Sequence, residues 1–134
     1  MPTHIFTYGS LMFSEVWQRV VAGSYASDSA TLRGYRRYAV KHDTYPGIIA
    51  QTNGAVTGLI YYNVSSPDVT ALDHFEGDQY RRIEVDATAP DGTTRLVQTY
   101  LMLNPADLSD QPWMPQNFQL HRFLETYCRD KLGS

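Results

Sequence analysis

The chain has 134 residues, the size of one compact domain that buries roughly two-thirds of the surface its unfolded form exposes. Hydrophobic residues make up 43 % of it and the formal charge is −3, which excludes a disordered tail and any bulk attraction to nucleic-acid phosphates or anionic membranes. Its one cysteine, Cys128, excludes an intramolecular disulfide and a thiolate metal cluster and points to a reducing, cytoplasmic setting.

In chain order, His4 to Tyr8 reads as a first strand that turns at Gly9. Ser14 is placed to cap a helix running to about Ala22, with Val16, Trp17, Val20 and Val21 on one face and Gly23 as its stop. Thr31 to Lys41 alternates imperfectly and predicts a bulged or barrel strand. Ile48–Gln51 and Val56–Val64 flank Asn53-Gly54, a strong hairpin signal, and are expected to pair antiparallel. Ser66-Pro67-Asp68 starts a short helix whose apolar face is Val69, Leu72 and Phe75, with Gly77 as its stop. Tyr80–Thr88 and Thr94–Leu103 form a second hairpin around Pro90-Asp91-Gly92-Thr93. Asn104 to Pro115 reads as a proline-interrupted loop, and Gln116 to Lys131 as a last helix carrying Leu120, Phe123, Leu124 and Tyr127 on one side. About six strands with three helical segments predict an α+β domain over residues 1–134, its sheet closed or nearly closed into a small barrel.

Two segments carry chemistry. After the first strand, Gly9, Ser10 and Leu11 offer backbone N–H groups without ladder partners, suited to an anion or a developing oxyanion. Glu76 falls in the last turn of its helix, where the peptide dipole and burial beside Phe75 both raise a carboxyl pKa toward that of a working general base. Other patterns fail. His74-x-Glu76 lacks the cysteine pair of a zinc deaminase, and Ser10 lacks a nucleophile elbow. No nucleotide-binding glycine motif occurs. Arg33 to Val40 interleaves bases with aromatics like an RNA-binding strand, but arginines stand where that motif needs small and aromatic residues, so a solvated barrel strand is the better account. No metal, cofactor, nucleic acid or membrane is expected as a partner. No apolar run approaches the roughly 20 residues that span a bilayer, and the opening residues lack a secretory-signal pattern.

Phe6-Thr7-Tyr8-Gly9-Ser10-Leu11 and Phe75-Glu76-Gly77-Asp78-Gln79-Tyr80-Arg81-Arg82 together resemble the gamma-glutamylcyclotransferase superfamily, whose members run from a first strand into Tyr-Gly-Ser/Thr-Leu and carry a later glutamate. Tyr45-Pro46-Gly47-Ile48 and Leu32-x-Gly34-Tyr35 resemble its avirulence-induced-like branch. The resemblance implies a small mixed, mostly antiparallel β-barrel flanked by helices. It also implies a cofactor-free enzyme that closes the glutamyl moiety of a small gamma-glutamyl compound into 5-oxoproline and expels an amine. Glu76 is then the catalytic acid/base, and Tyr8, Gly9, Ser10, Leu11 and Tyr80 bind substrate. Whether the loop amides serve the α-carboxylate or the oxyanion is left open, as are the leaving amine and the oligomeric state. The alternatives are a non-catalytic binding protein of the same fold, or a hydrolase or acyltransferase acting on gamma-glutamyl amides.

Overall fold

Residues 3–132 are described by a computed structural model. In chain order the strands are β1 (Thr3–Thr7), β2 (Ser27–Val40), β3 (Pro46–Val64), β4 (Tyr80–Thr88), β5 (Thr94–Met102) and β6 (Leu108–Pro112). Helix α1 (Ser14–Val20) follows β1, and α2 (Ser66–Glu76) follows β3. After β6 the chain passes from α3 (Leu120–Phe123) through a π-helical turn (Leu124–Cys128) into α4 (Arg129–Leu132). β1 lies between β3, to which it is antiparallel, and β5, to which it is parallel. β5 pairs with β4, β4 with β2 and β2 with β3, which closes a five-stranded mixed barrel; β6 adds to β2 outside the ring. The α+β barrel flanked by helices is the fold that the sequence predicts.

Strand alternation divides the apolar residues between two cores. Phe6 of β1 and Tyr8 just beyond it join Leu32, Ile48, Val56, Ile60 and Val97 in a cluster to which no helix contributes. Ile5, on the opposite face of β1, belongs to a second cluster with Val16 and Trp17 of α1, Leu72 and Phe75 of α2, and Phe123 and Cys128 of the last helical run. The helices therefore pack on the outside of the ring, and Trp17 stacks on Tyr61 with ring centroids 3.7 Å apart. Gly58 permits close passage of β3 over β1, because a Cβ there would stand 2.1 Å from the Thr7 carbonyl oxygen.

Several local expectations are overturned by longer-range pairing. Asn53-Gly54 makes no hairpin; β3 runs through it unbroken, and both flanks already pair with β2 at Ala50↔Tyr35 and Ala55↔Arg33. The left-handed Asn53 (φ 66°) and Gly34 (φ 87°) instead form a bulge in which the long β2–β3 ribbon bends. Its true turn is Lys41 to Tyr45, where His42 takes φ 64° and the Val40 N–H donates to the Tyr45 carbonyl. The expected loop Asn104–Pro115 contains β6, tied to β2 at Tyr38↔Pro112 and Val40↔Leu108. The last helix starts at Leu120 rather than Gln116, since Pro115 to Asn117 close a separate 3-10 turn. Ser14 is the first helical residue, not a cap, and its hydroxyl bonds Glu15. Gly23 is no helix stop either: α1 ends at Val20.

The second helix cap also differs. Ser65 occupies the N-cap of α2 without a capping side-chain bond, and Asp68 has a larger task than favouring the helix dipole. Only 5 % exposed, its carboxylate accepts the Ala22 and Gly23 N–H groups, each at 2.9 Å, and the Tyr25 hydroxyl at 2.5 Å. It thus joins the exit of α1 to the first turn of α2. Burial works against the ionised form, but the donors from Ala22, Tyr25 and Gly23 outweigh it and hold the carboxyl below its ordinary value. Asp68→Asn turns an amide NH2 toward existing donors and is expected to cost about 2 kcal/mol in urea unfolding at pH 7. Because the folded pKa is depressed, the wild-type advantage is present above the ordinary pKa and is lost as pH falls below about 4. An equal deficit at pH 3 and pH 7 contradicts this account.

Candidate active site

The end of β1, the start of β3, the start of β4 and the end of α2 converge on one pocket. It holds about 410 Å³ of atom-free space counted out to its mouth, open solvent included. Glu76, Tyr8, Gly9, Ser10, Leu11 and Tyr80, the residues singled out in the sequence, all line it.

Glu76 ends α2, where Gly77 (φ 77°) breaks the helix. Burial pushes the Glu76 pKa up to about 8; Lys131 opposes the shift and Asp73, one turn earlier on α2, adds to it. Among the described residues no side chain or backbone group hydrogen-bonds its carboxyl, so its oxygens are left for a ligand. Asp73 is itself held by Arg82, with Nε 2.9 Å from Oδ1, and by the Tyr100 hydroxyl at 2.7 Å. Arg82 therefore reaches the site only through Asp73.

The loop after β1 approaches β3 closely. Gly9 adopts φ −132° and ψ −133°, so the turn does not rest on a positive φ. Space is the constraint: a Cβ on Gly9 would stand 2.8 Å from both Cγ and Cδ of Pro46. Ser10 to Met12 then form a 3-10 turn closed by the Met12 N–H on the Gly9 carbonyl. Among the described residues the N–H groups of Gly9, Ser10 and Leu11 donate to no backbone carbonyl. These donors stand on the same pocket as the Glu76 carboxyl.

Tyrosines form much of the remaining wall. Tyr8 donates its hydroxyl to the Tyr100 carbonyl at 2.6 Å, Tyr80 to the Pro46 carbonyl at 2.7 Å, and Tyr127 to the Phe75 carbonyl. The Tyr45 hydroxyl meets Gln79 at 2.9 Å. Burial is the leading cause that raises the pKa of Tyr8, Tyr45, Tyr80, Tyr100 and Tyr127. All five stay protonated at neutral pH, which leaves Glu76 as the lining group that titrates nearby. Tyr45, Tyr100, Phe123 and Tyr127 were not among the sequence-predicted site residues. Tyr45 lies inside the Tyr45-Pro46-Gly47-Ile48 segment, but Phe123 and Tyr127 read only as an apolar helix stripe and Tyr100 as one strand position among many.

A closed five-stranded mixed barrel with external helices, and one pocket lined by both a half-buried carboxyl and the loop after β1, define the class of gamma-glutamyl-cyclotransferase-like folds. The chain belongs to the family described as "Gamma-glutamyl cyclotransferase, AIG2-like", whose model matches residues 5–119. It is 32 % identical over 131 residues to AIG2-like protein A of Arabidopsis thaliana, covering 92 % of this chain and 78 % of that protein. A solution structure from Arabidopsis thaliana superposes with a TM-score of 0.72 at 28 % identity, covering 96 % of this chain and 89 % of the other. A solved gamma-glutamyl cyclotransferase shares the fold with a TM-score of 0.70 at 19 % identity, covering 98 % and 80 % of the two chains. Among the described residues no helix is long and apolar enough to cross a membrane.

The raised Glu76 pKa has a measurable consequence for stability. Its carboxyl is easier to keep protonated in the folded chain, so its contribution is fully present below about pH 4.5 and is lost as pH rises toward 8. Glu76→Gln removes that liability. Thermal or urea unfolding is expected to show the variant more stable than wild type at pH 9, by ~1–2 kcal/mol once solvent screening is allowed for, with no gain at pH 4. A gain that does not depend on pH rules out a carboxyl that titrates near 8.

Proposed function

We propose that the protein is a gamma-glutamyl cyclotransferase that converts a small gamma-glutamyl compound into 5-oxoproline and a free amine, with Glu76 as general acid/base. The observation that carries this reading is a single pocket shared by a carboxyl of pKa about 8 and the free N–H groups of Gly9, Ser10 and Leu11. Family membership supports it. The same reading takes residues 1–134 as one domain acting in the cytoplasm without a cofactor, in keeping with one continuous ring of strands and one buried free thiol at Cys128.

The chemistry follows from what each group offers. The substrate arrives with an α-ammonium, and that cation beside Glu76 favours the carboxylate form. Glu76 takes a proton from the ammonium, and the freed amine attacks the γ-carbonyl carbon of the same molecule, forming the new C–N bond of a five-membered lactam. The oxyanion of the tetrahedral intermediate, or the α-carboxylate that anchors the substrate, accepts from the loop amides. As the intermediate collapses, the original amide C–N bond breaks and the proton held on Glu76 passes to the departing amine; the carboxylate so restored takes the second proton from the new ring nitrogen and hands it to the released amine, which leaves as an ammonium. Proton and bond balance close with no further reagent. Holding the glutamyl chain curled supplies much of the rate, because the reaction is intramolecular. Tyr8 and Tyr80, whose hydroxyl protons are already given to carbonyls, contribute shape and oxygen acceptors to the wall.

Purified protein incubated with a panel of gamma-glutamyl amines and gamma-glutamyl amino acids is expected to release 5-oxoproline, detected by mass spectrometry. Release of glutamate instead identifies a hydrolase, and ligand-induced thermal stabilisation without either product identifies a binder. Glu76→Gln is expected to lower turnover by roughly 100-fold or more while remaining folded. The wild-type kcat/KM is expected to rise with pH along a limb near 8, set by the free-enzyme carboxyl. Gly9→Ala drives a methyl group into Pro46 and displaces the loop. It is expected to lower kcat/KM by roughly 10-fold or more with a smaller loss of melting temperature, and unchanged kinetics would remove the loop from the mechanism.

A further inference from the structure

Arg37, in the β2 segment whose arginines and aromatics resemble an RNA-binding strand, has a different use. Its guanidinium is half-buried, and among the described residues no carboxylate lies within ion-pair distance of it. It spends its donors on backbone carbonyls from three separate parts of the chain. Nη1 donates to the Tyr8 oxygen at 2.7 Å and the Thr57 oxygen at 3.1 Å, and Nε donates to the Trp113 oxygen at 3.1 Å. The guanidinium also lies 5.2 Å from the centroid of the Trp113 ring. Burial lowers the Arg37 pKa from its ordinary value, so the fold carries a partly desolvated cation with no counter-ion among the described residues.

The shortest of these bonds falls on the carbonyl that immediately precedes Gly9. In a trans peptide the C=O and the following N–H point in opposite directions. Arg37 does not line the pocket, whereas Tyr8 and Gly9 do. Drawing the Tyr8 oxygen toward Arg37 therefore turns the Gly9 N–H away from Arg37 and toward the pocket. That N–H has no backbone acceptor among the described residues. A charge-assisted bond to the carbonyl also polarises the peptide and strengthens its N–H as a donor.

We infer that Arg37 is a positioning residue: by pinning the Tyr8 carbonyl it presents the Gly9 N–H to an anionic oxygen of the ligand. Its second bond, to Thr57 of β3, fixes the same peptide to the barrel wall, and its third ties in the segment that follows β6. Only the identity of the ligand rests on the proposed cyclotransferase activity. Lysine cannot replace this geometry, because an ammonium supplies one point charge where the guanidinium fork reaches three carbonyls.

The test uses the full chain with Arg37→Met and Arg37→Lys. In amide 1H–15N spectra of the ligand-free protein, Arg37→Met is expected to move the Gly9 amide proton upfield by a few tenths of a ppm, more than Ser10 or Leu11 moves. A folded Arg37→Met protein with an unmoved Gly9 resonance overturns the inference. That readout needs no turnover, so it stands whether or not the wild-type protein forms 5-oxoproline. Where turnover is measured, Arg37→Met is expected to lose roughly 10- to 100-fold in kcat/KM per correctly folded molecule, and Arg37→Lys less. Native kcat/KM in both variants also overturns it. Should Arg37→Met fail to fold, Arg37→Lys carries the same amide-shift measurement, with a smaller displacement of Gly9 expected and none contradicting the role.

Discussion

The arrangement depends on placing a carboxyl where its charge is unwelcome while leaving its oxygens free. Glu76 is desolvated, stands at the negative end of α2 and has Asp73 one turn behind it, so its protonated form is favoured up to about pH 8. Partners such as those that hold Asp68 ionised would cancel the effect. The two acids of α2 illustrate the contrast: Asp68 accepts three donors and sits below its ordinary pKa, whereas Glu76 accepts none within the described chain and sits well above it. One helix thus carries a structural acid at its start and a titrating acid at its end.

Around Glu76 three of the wall tyrosines are satisfied by backbone carbonyls, while Tyr45 and Tyr100 bond the side chains of Gln79 and Asp73. The hydroxyls of Tyr8, Tyr80 and Tyr127 donate to the carbonyls of Tyr100, Pro46 and Phe75. Each bond ties a pocket side chain to a different element, so the rings cannot rotate without breaking a buried hydrogen bond. Arg37 does the same from behind the wall, with three carbonyls in its grasp. Such bonds preorganise the wall before any ligand enters, which is what the proposed intramolecular ring closure requires of its container.

The sequence reveals much of this and conceals the rest for identifiable reasons. The place of Glu76 at the end of α2 was readable because its helix has a proline in its first turn, a periodic face and a stopping glycine, all local signals. The β4–β5 hairpin was readable because its turn residues act within a few positions of one another. Asn53-Gly54 misled because the same local preference for positive φ serves a bulge once β2 claims both flanks of the strand. β6 was invisible because a strand containing Pro112 forms only where a partner edge is offered, and β2 offers it. Phe123 and Tyr127 look alike as core and as pocket wall, since apolar periodicity records that a face is covered but not by what.

Phe123 and Tyr127 come from the last helical run, whereas the loop amides follow the first strand. During synthesis every strand of the ring is made before these two aromatics, so the nascent protein can possess a finished barrel and still lack one side of its ligand chamber. Competence to hold a small molecule therefore waits on residues made after the ring, and a chain interrupted between Pro112 and Phe123 would lack one flank of the chamber.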